Sequence, residues 1–191
     1  MDQFNHPDFN EMARSIFRHI QVTAKTEGEN FFHESFRRQG WLDDSLTPWA
    51  KRAHDDSGRG ILTKSGALNR SIKGRIAGNN IHFATDGNIP YARIHNEGGT
   101  ITVTLRMKKY FWAMYIRASG RISMRKDGSR RKTKANREIS SKAMFYKAMA
   151  MKKVGTQIKI PKRQFMGESK TLMRNLENHF FKIIDQHLNG I

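Results

Sequence analysis

Apolar and polar positions change period several times along the chain, and each change marks an element. Phe9, Met12, Ala13, Ile16, Phe17 and Ile20 recur at steps of three and four, the repeat of an amphipathic helix, which Pro7 and Asp8 would start near residue 7. Phe31, Phe32, Ser35 and Phe36 resume a helical stripe after Gly28, a residue that either breaks the helix or only weakens it, and Gly40 supplies a stop. Trp41, Leu42, Leu46 and Trp49 form a tryptophan-rich connection in which Thr47 can cap a helix that Pro48 opens. Its rings either cover one edge of the core or form an aromatic patch for a partner.

The segment from Ile61 to Gly99 is the most informative. A helix is predicted from Thr63 to Ser71, with Ala67, Leu68 and Ile72 on one stripe. The period then shortens to two: Ile72, Gly74 and Ile76 face one way, Lys73 and Arg75 the other, as in a half-buried strand. Gly78, Asn79 and Asn80 tolerate a tight reversal, and Ile81 and Phe83 restart the alternation on a return strand. Asp86-Gly87-Asn88 makes the next turn, Pro90 opens a short helix through Tyr91, Ala92 and Ile94, and Gly98-Gly99 ends it. Thr100 to Thr104 is β-branched enough for a third strand.

Met107, Phe111, Met114, Tyr115 and Ala118 return to helical spacing, predicting a helix from Arg106 to Ser119 that Gly120 ends. Residues 121–137 are highly charged, nearly without apolar side chains and centred on Gly128, the composition of a mobile loop. Ile139, Ala143, Tyr146, Met149 and Ala150 then predict a second limb as far as Lys153. Gln157 to Lys159 reads as a fourth strand, beyond which Pro161 cannot donate to a ladder. Leu172, Leu176, Phe180, Ile184 and Leu188 recur every four residues in a closing helix from Glu168. The expected fold class is α+β. A mostly antiparallel sheet, with strands around 71–77, 80–85, 100–104 and 156–160, packs against the amino- and carboxyl-terminal helices. A basic helical hairpin is inserted at about 106–153. With 191 residues, one domain is expected over 1–191.

The formal charge of +18 sharpens this picture because it is concentrated. Residues 106–153 hold 16 Lys and Arg against Asp127 and Glu138, a net of +14; the remaining 19 basic and 15 acidic residues leave +4. There is no cysteine, which excludes disulfides and thiolate metal sites. No run of 18 apolar residues occurs, and the start at Asp2, Gln3 and Asn5 lacks the features of a signal peptide, so a soluble protein not exported by that route is expected.

No recognisable catalytic motif is present. His95-Asn96-Glu97 is the strongest suspect, but it lacks the second histidine cluster of a metal nuclease; Tyr91, Ile94 and His95 are instead expected to fix the short helix against the sheet. His54 to Gly60 carries one histidine and two aspartates and reads as a solvated loop. Gly98-Gly99 has neither the lysine nor the spacing of a phosphate loop, and the strand after Ser65 to Lys73 argues against a helix-turn-helix. No catalytic residue, metal or cofactor is expected. In the basic segment, Arg117, Arg121, Arg125, Lys126, Arg130, Arg131, Lys132, Lys134 and Arg137 can neutralise phosphates without reading sequence, meet an acidic protein neighbour, or stay solvated. The tip has few residues to insert into a membrane.

Four ordered motifs resemble the phage virion morphogenesis, or tail completion, proteins. They are FFxxSFxxQGW from Phe31 to Trp41 followed by Pro48-Trp49, LTxSGxLxxS from Leu62, YAxIHNxGG from Tyr91, and IPxRxFxG from Ile160 to Gly167. The resemblance covers most of the chain except the basic insertion, which departs from the family pattern. It implies a small, non-enzymatic α+β structural protein of the tail end or head-tail junction. Such a protein would form a homo-oligomeric ring with other phage head or tail proteins, in a virion assembled in the bacterial host cytoplasm, with DNA crossing the lumen. Tyr91, His95, Gly98, Gly99, Pro161, Arg163 and Phe165 match the motifs and would lie at the oligomer or partner interface or keep the fold. The alternative is a sequence-nonspecific nucleic-acid-binding accessory protein acting through the insertion, with Arg121, Arg125, Lys126, Arg130, Arg131, Lys132, Lys134 and Arg137 as its contacts.

Overall fold

A computed structural model describes residues 8–52 and 58–189; the expectations that rest on Pro7 and on His54 to Ser57 lie outside the described residues. In chain order the elements are α1 (Phe9–Arg38), β1 (Gly40–Leu42), β2 (Leu46–Pro48), α2 (Ala67–Arg70), β3 (Ile72–Ala77), β4 (Asn80–Thr85), α3 (Ala92–Glu97), β5 (Gly99–Thr102), α4 (Leu105–Ser119), α5 (Lys134–Met151), β6 (Gln157–Ile160) and α6 (Lys170–Leu188). The fold is α+β, and the chain divides into two compact units, one of residues 1–49, 60–97 and 163–191, the other of 50–59 and 98–162.

In the first unit the carboxylate of Asp8 accepts from the backbone N–H of Asn10 and Glu11, so α1 starts on an aspartate cap. Gly28 does not break the helix, which runs on to Arg38. The stop is Gln39 rather than Gly40: Gln39 adopts φ 55, and its N–H bonds to Ser35 O. Gly40 instead opens a hairpin in which Gly40 pairs with Pro48 and Trp41 with Thr47. Thr47 and Pro48 are therefore strand residues and not a helix start. Pro48 sits at the end of an edge strand, where its missing N–H costs no ladder bond. The helix expected from Thr63 begins only at Ala67, because Gly66 takes φ 68 and a left-handed residue cannot lie inside a right-handed helix.

β3 and β4 pair antiparallel across a two-residue turn at Gly78-Asn79, with Gly78 at φ 58. Ile72, Gly74 and Ile76 turn inward and Lys73 and Arg75 outward, as their alternation predicts. α1 lies over this hairpin: Glu29 Oε1 accepts from Gly74 N at 2.6 Å, and Gln21 Nε2 donates to Gly78 O at 2.7 Å. The core joins Phe32, Phe36, Trp41, Trp49, Leu68, Ile72, Ala92, Phe165 and Leu172. Trp41 and Trp49 are buried, so both rings belong to the core. α6 is capped twice. Ser169 Oγ accepts from Leu172 N and donates to Leu42 O, while Asp43 Oδ1 accepts from Lys170 N.

In the second unit β5 and β6 pair antiparallel, Gly99 opposite Ile160. The four expected strands thus form two separate two-stranded ladders instead of one sheet. In the β3-β4 ladder the physical reason is visible: α1 already covers its apolar face, so no further strand is needed to bury it. α4 and α5 pack together through Phe111, Phe145 and Tyr146, with Ala118, Ala143 and Ala150 buried. The small alanines let the helices approach while the rings fill the remaining seam. Thr104 and Thr133 cap the two helices through their hydroxyls.

Candidate assembly and nucleic-acid surfaces

Residues 163–166 have no regular secondary structure, yet their backbone groups find partners inside the first unit. Arg163 N donates to His95 O at 2.8 Å. Trp49 Nε1 donates to Gln164 O at 2.7 Å. Asn96 Oδ1 accepts from both Phe165 N (2.9 Å) and Met166 N (3.0 Å), while Asn96 Nδ2 donates to Met166 O at 3.0 Å. One amide side chain therefore acts as a short piece of ladder for a segment that cannot make its own, and this satisfaction lets irregular backbone be held against the core.

The motif residues are distributed accordingly. Phe165 is 1% exposed and packs on Phe36 with ring centroids 5.4 Å apart; Arg163 is 8% exposed. His95 is half-buried, its ring edge-on to Tyr91 at 5.9 Å. Its Nδ1 is buried without a hydrogen-bond partner among the described residues. Burial, and then the Arg163 guanidinium, push the His95 pKa below the ordinary histidine value. Tyr91 is 42% exposed. In the second unit Gly98 takes φ 77, and a Cβ there would lie 2.9 Å from Lys162 N, so only glycine fits. Gly99 opens β5, and Pro161 follows β6, half-buried. Nothing along the chain singles out Asn96, because its partners lie some 70 residues away.

The basic residues lie on α4, α5 and the segment joining them. Where its composition predicts a mobile loop, that joining segment is folded into hydrogen-bonded turns. Arg125 N donates to Ser129 O, Arg131 N to Ser123 O, and Gly128 N to Arg125 O, closing a small hairpin with Gly128 at φ 79. Asp127 accepts from Ser129 N at 2.8 Å, and hydrogen bonding to Ser129 holds its carboxyl below the usual aspartate range. Asp-Gly is a strong hairpin signal, and it stood in the sequence. Asn136, 5% exposed, ties this hairpin to the start of α5. Its Nδ2 donates to Ser123 O (2.8 Å) and Arg131 O (2.7 Å), and its Oδ1 accepts from Ser123 N and Oγ.

Arg121, Arg125, Lys126, Arg130, Arg131, Lys132, Lys134 and Arg137 are all exposed, and none is ion-paired among the described residues. Arg130, Arg131, Lys132 and Arg137 line one open concavity with Ser140 and Ser141. Among the described residues no group of three or more His, Asp or Glu is placed to hold a metal ion, and no helix is long and apolar enough to cross a membrane.

The family model described as the phage virion morphogenesis family matches residues 37–189, a span that takes in Gln39-Gly40-Trp41, the Tyr91 and Pro161 motifs and the whole basic hairpin. No curated protein and no solved structure matches. A match over 37–189 of the 191 residues places this protein in the phage virion morphogenesis family.

Proposed function

We propose that the chain is a non-enzymatic structural protein of the phage particle that completes the tail or joins head to tail as a homo-oligomeric ring, assembled in the host cytoplasm with other head or tail proteins. One tail-completion-like domain over 1–191 would carry the basic hairpin as an insertion at about 106–153. The carrying observation is that the family motifs are used to hold backbone in place: His95, Asn96, Arg163 and Phe165 engage one another instead of converging on an open cleft. That is what a building block requires. Tyr91, Gly98, Gly99 and Pro161 would then face or shape the contact with the next subunit, and His95, Arg163 and Phe165 would support it from within.

Exposed apolar side chains favour assembly as well. Met173, Phe181, Ile184 and Leu188 fall on one exposed stripe of α6. Native mass spectrometry and electron microscopy of the purified chain, at low and high salt, test the reading. Rings or defined oligomers that dissociate in Phe181→Asp/Ile184→Asp support it. A chain that stays monomeric at every concentration and fails to join head or tail proteins overturns it.

A second reading, a sequence-nonspecific nucleic-acid-binding accessory protein, is favoured by one observation: the eight exposed cations of the hairpin have no ion-pair partner among the described residues. Charge held unneutralised on an ordered element is what a polyanion would meet.

A further inference from the structure

We propose that the concavity at the start of α5 is a preformed site for the phosphate backbone of duplex DNA, and that Asn136 is the positioning residue that builds it. The proposal rests on the second reading above and narrows it from a diffuse charge to one groove. Three observations carry it.

The first is chemical. Arg130, Arg131, Lys132 and Arg137 line the groove, and Ser140 and Ser141 add hydroxyls from the next turn. Guanidinium and ammonium donors together with hydroxyls are the groups that bind phosphodiester oxygens. The one acid of the tip, Asp127, is engaged with the turn at Ser129 instead of neutralising these cations.

The second is order. Four lysines or arginines on a floppy loop would lose side-chain and backbone freedom on binding, at a cost in affinity. Here the backbone is already set. The Met124-Arg130 bridge closes the hairpin, and Asn136 fastens Ser123 and Arg131 to α5 through four hydrogen bonds. Arg131 donates its Nε to Met124 O at 3.0 Å, so one face of its guanidinium is held while the rest stays free to bond. A buried asparagine is an expensive residue to place in a surface hairpin unless the geometry it fixes is used.

The third decides between strands. Binding of single-stranded nucleic acid relies on aromatic rings against which bases stack. The groove has none: beyond its polar residues only Met144 contributes an apolar side chain. It offers contacts to a backbone and nothing to a base, which fits a duplex.

The experiment measures binding of the full chain to a fluorescein-labelled 20-base-pair duplex of arbitrary sequence by anisotropy, across a salt series. Four cations on four phosphates predict a slope of roughly −3.6 in log affinity against log salt, a loss of about 150-fold between about 50 and 200 mM. Arg130→Ala/Arg131→Ala/Lys132→Ala/Arg137→Ala, all surface changes, should lower affinity at least tenfold and flatten the slope by about three. The charge-matched control Arg106→Ala/Lys108→Ala/Lys152→Ala/Lys153→Ala should lose clearly less. Asn136→Ala keeps every charge and should still weaken binding several-fold. Equal losses in the groove and control variants would overturn the site in favour of diffuse charge, as would unchanged binding by the groove variant. Equal or tighter binding of the single strand, or displacement by an oligoglutamate as effective as by unlabelled duplex, would also overturn it, the latter pointing to an acidic protein partner. The native mass of the same variants reports on ring formation separately, so failure here and failure of the assembly reading are distinguishable.

Discussion

The ring of Phe83 occupies the place where a side chain on Gly28 would have to be: a Cβ built on Gly28 falls 2.3 Å from Phe83 Cζ. Gly74, the cross-strand partner of Phe83, likewise leaves its own Cβ position 2.9 Å from Cε1 of the same ring. Two glycines, one in α1 and one in β3, thus let the helix settle on the hairpin with a phenylalanine between them. The ring is also edge-on to Phe32 at 5.1 Å, which limits where it can move.

Gly28→Ala should therefore destabilise the protein, although alanine is the better helix former by about 1 kcal/mol. Overpacking of this kind costs about 1–3 kcal/mol net of relaxation. Urea unfolding followed by circular dichroism measures it. Adding Phe83→Leu should recover part of the loss, a coupling expected only of residues in contact. A stabilised Gly28→Ala would mean that the glycine merely weakens the helix.

Asn96→Ala removes three hydrogen bonds and strands the N–H groups of Phe165 and Met166 beside the core. A loss of about 2–4 kcal/mol is expected, since groups left unpaired cost more than the bonds themselves contribute. Trp49→Phe keeps most of the ring packing and loses only the bond to Gln164 O, and should cost about 1–2 kcal/mol. Equal stability of Asn96→Ala and the parent would show that the 163–166 segment is held by packing alone.

The pH dependence follows from His95. Its folded pKa is depressed, chiefly by burial and then by Arg163, so the unfolded chain takes up a proton first as pH falls. The stability associated with a neutral His95 is complete above about 6.5, the unfolded value, and is lost as pH falls from there through the folded pKa. His95→Gln cannot titrate. The difference in stability between the parent and this variant should be flat above pH 7 and shrink below pH 6.5, measured by denaturation at each pH. A difference that stays constant down to pH 5 would exclude His95 as the source.

The ordered tip predicts protease resistance. Residues 121–137 are dense in trypsin sites, yet the hairpin and Asn136 hold their backbone in hydrogen bonds. Gly128→Val should open the turn, because φ 79 is strained for a β-branched residue. Limited trypsinolysis should cut the tip of this variant and of Asn136→Ala at least tenfold faster than the parent. Equal rates would return the tip to the mobile loop its composition implies.

The periodic parts of the molecule were legible in advance. The stripes of α1, α4, α5 and α6 and the alternation through Ile72, Gly74 and Ile76 appear as helices and strands close to their expected bounds. Composition and propensity mislead where a local conformation overrides them. The polarity of the tip predicts mobility, although Asp127-Gly128 lies in a hairpin turn. Pro48 suggested a helix start, whereas the reversal after Leu42 had already committed it to a strand.

Side-chain period, the charge held between Arg106 and Lys153 and the order of the motifs are properties of neighbouring positions, and so the helices, the basic hairpin and the family likeness could be read along the chain. Whether Gly28 is a flaw or a seat for Phe83, whether four strands make one sheet or two ladders, and which backbone Asn96 and Asn136 hold depend on groups far apart in sequence for Gly28 and Asn96, and on the turn between for Asn136. Only folding brings those groups within the few ångströms over which repulsion and hydrogen bonding act.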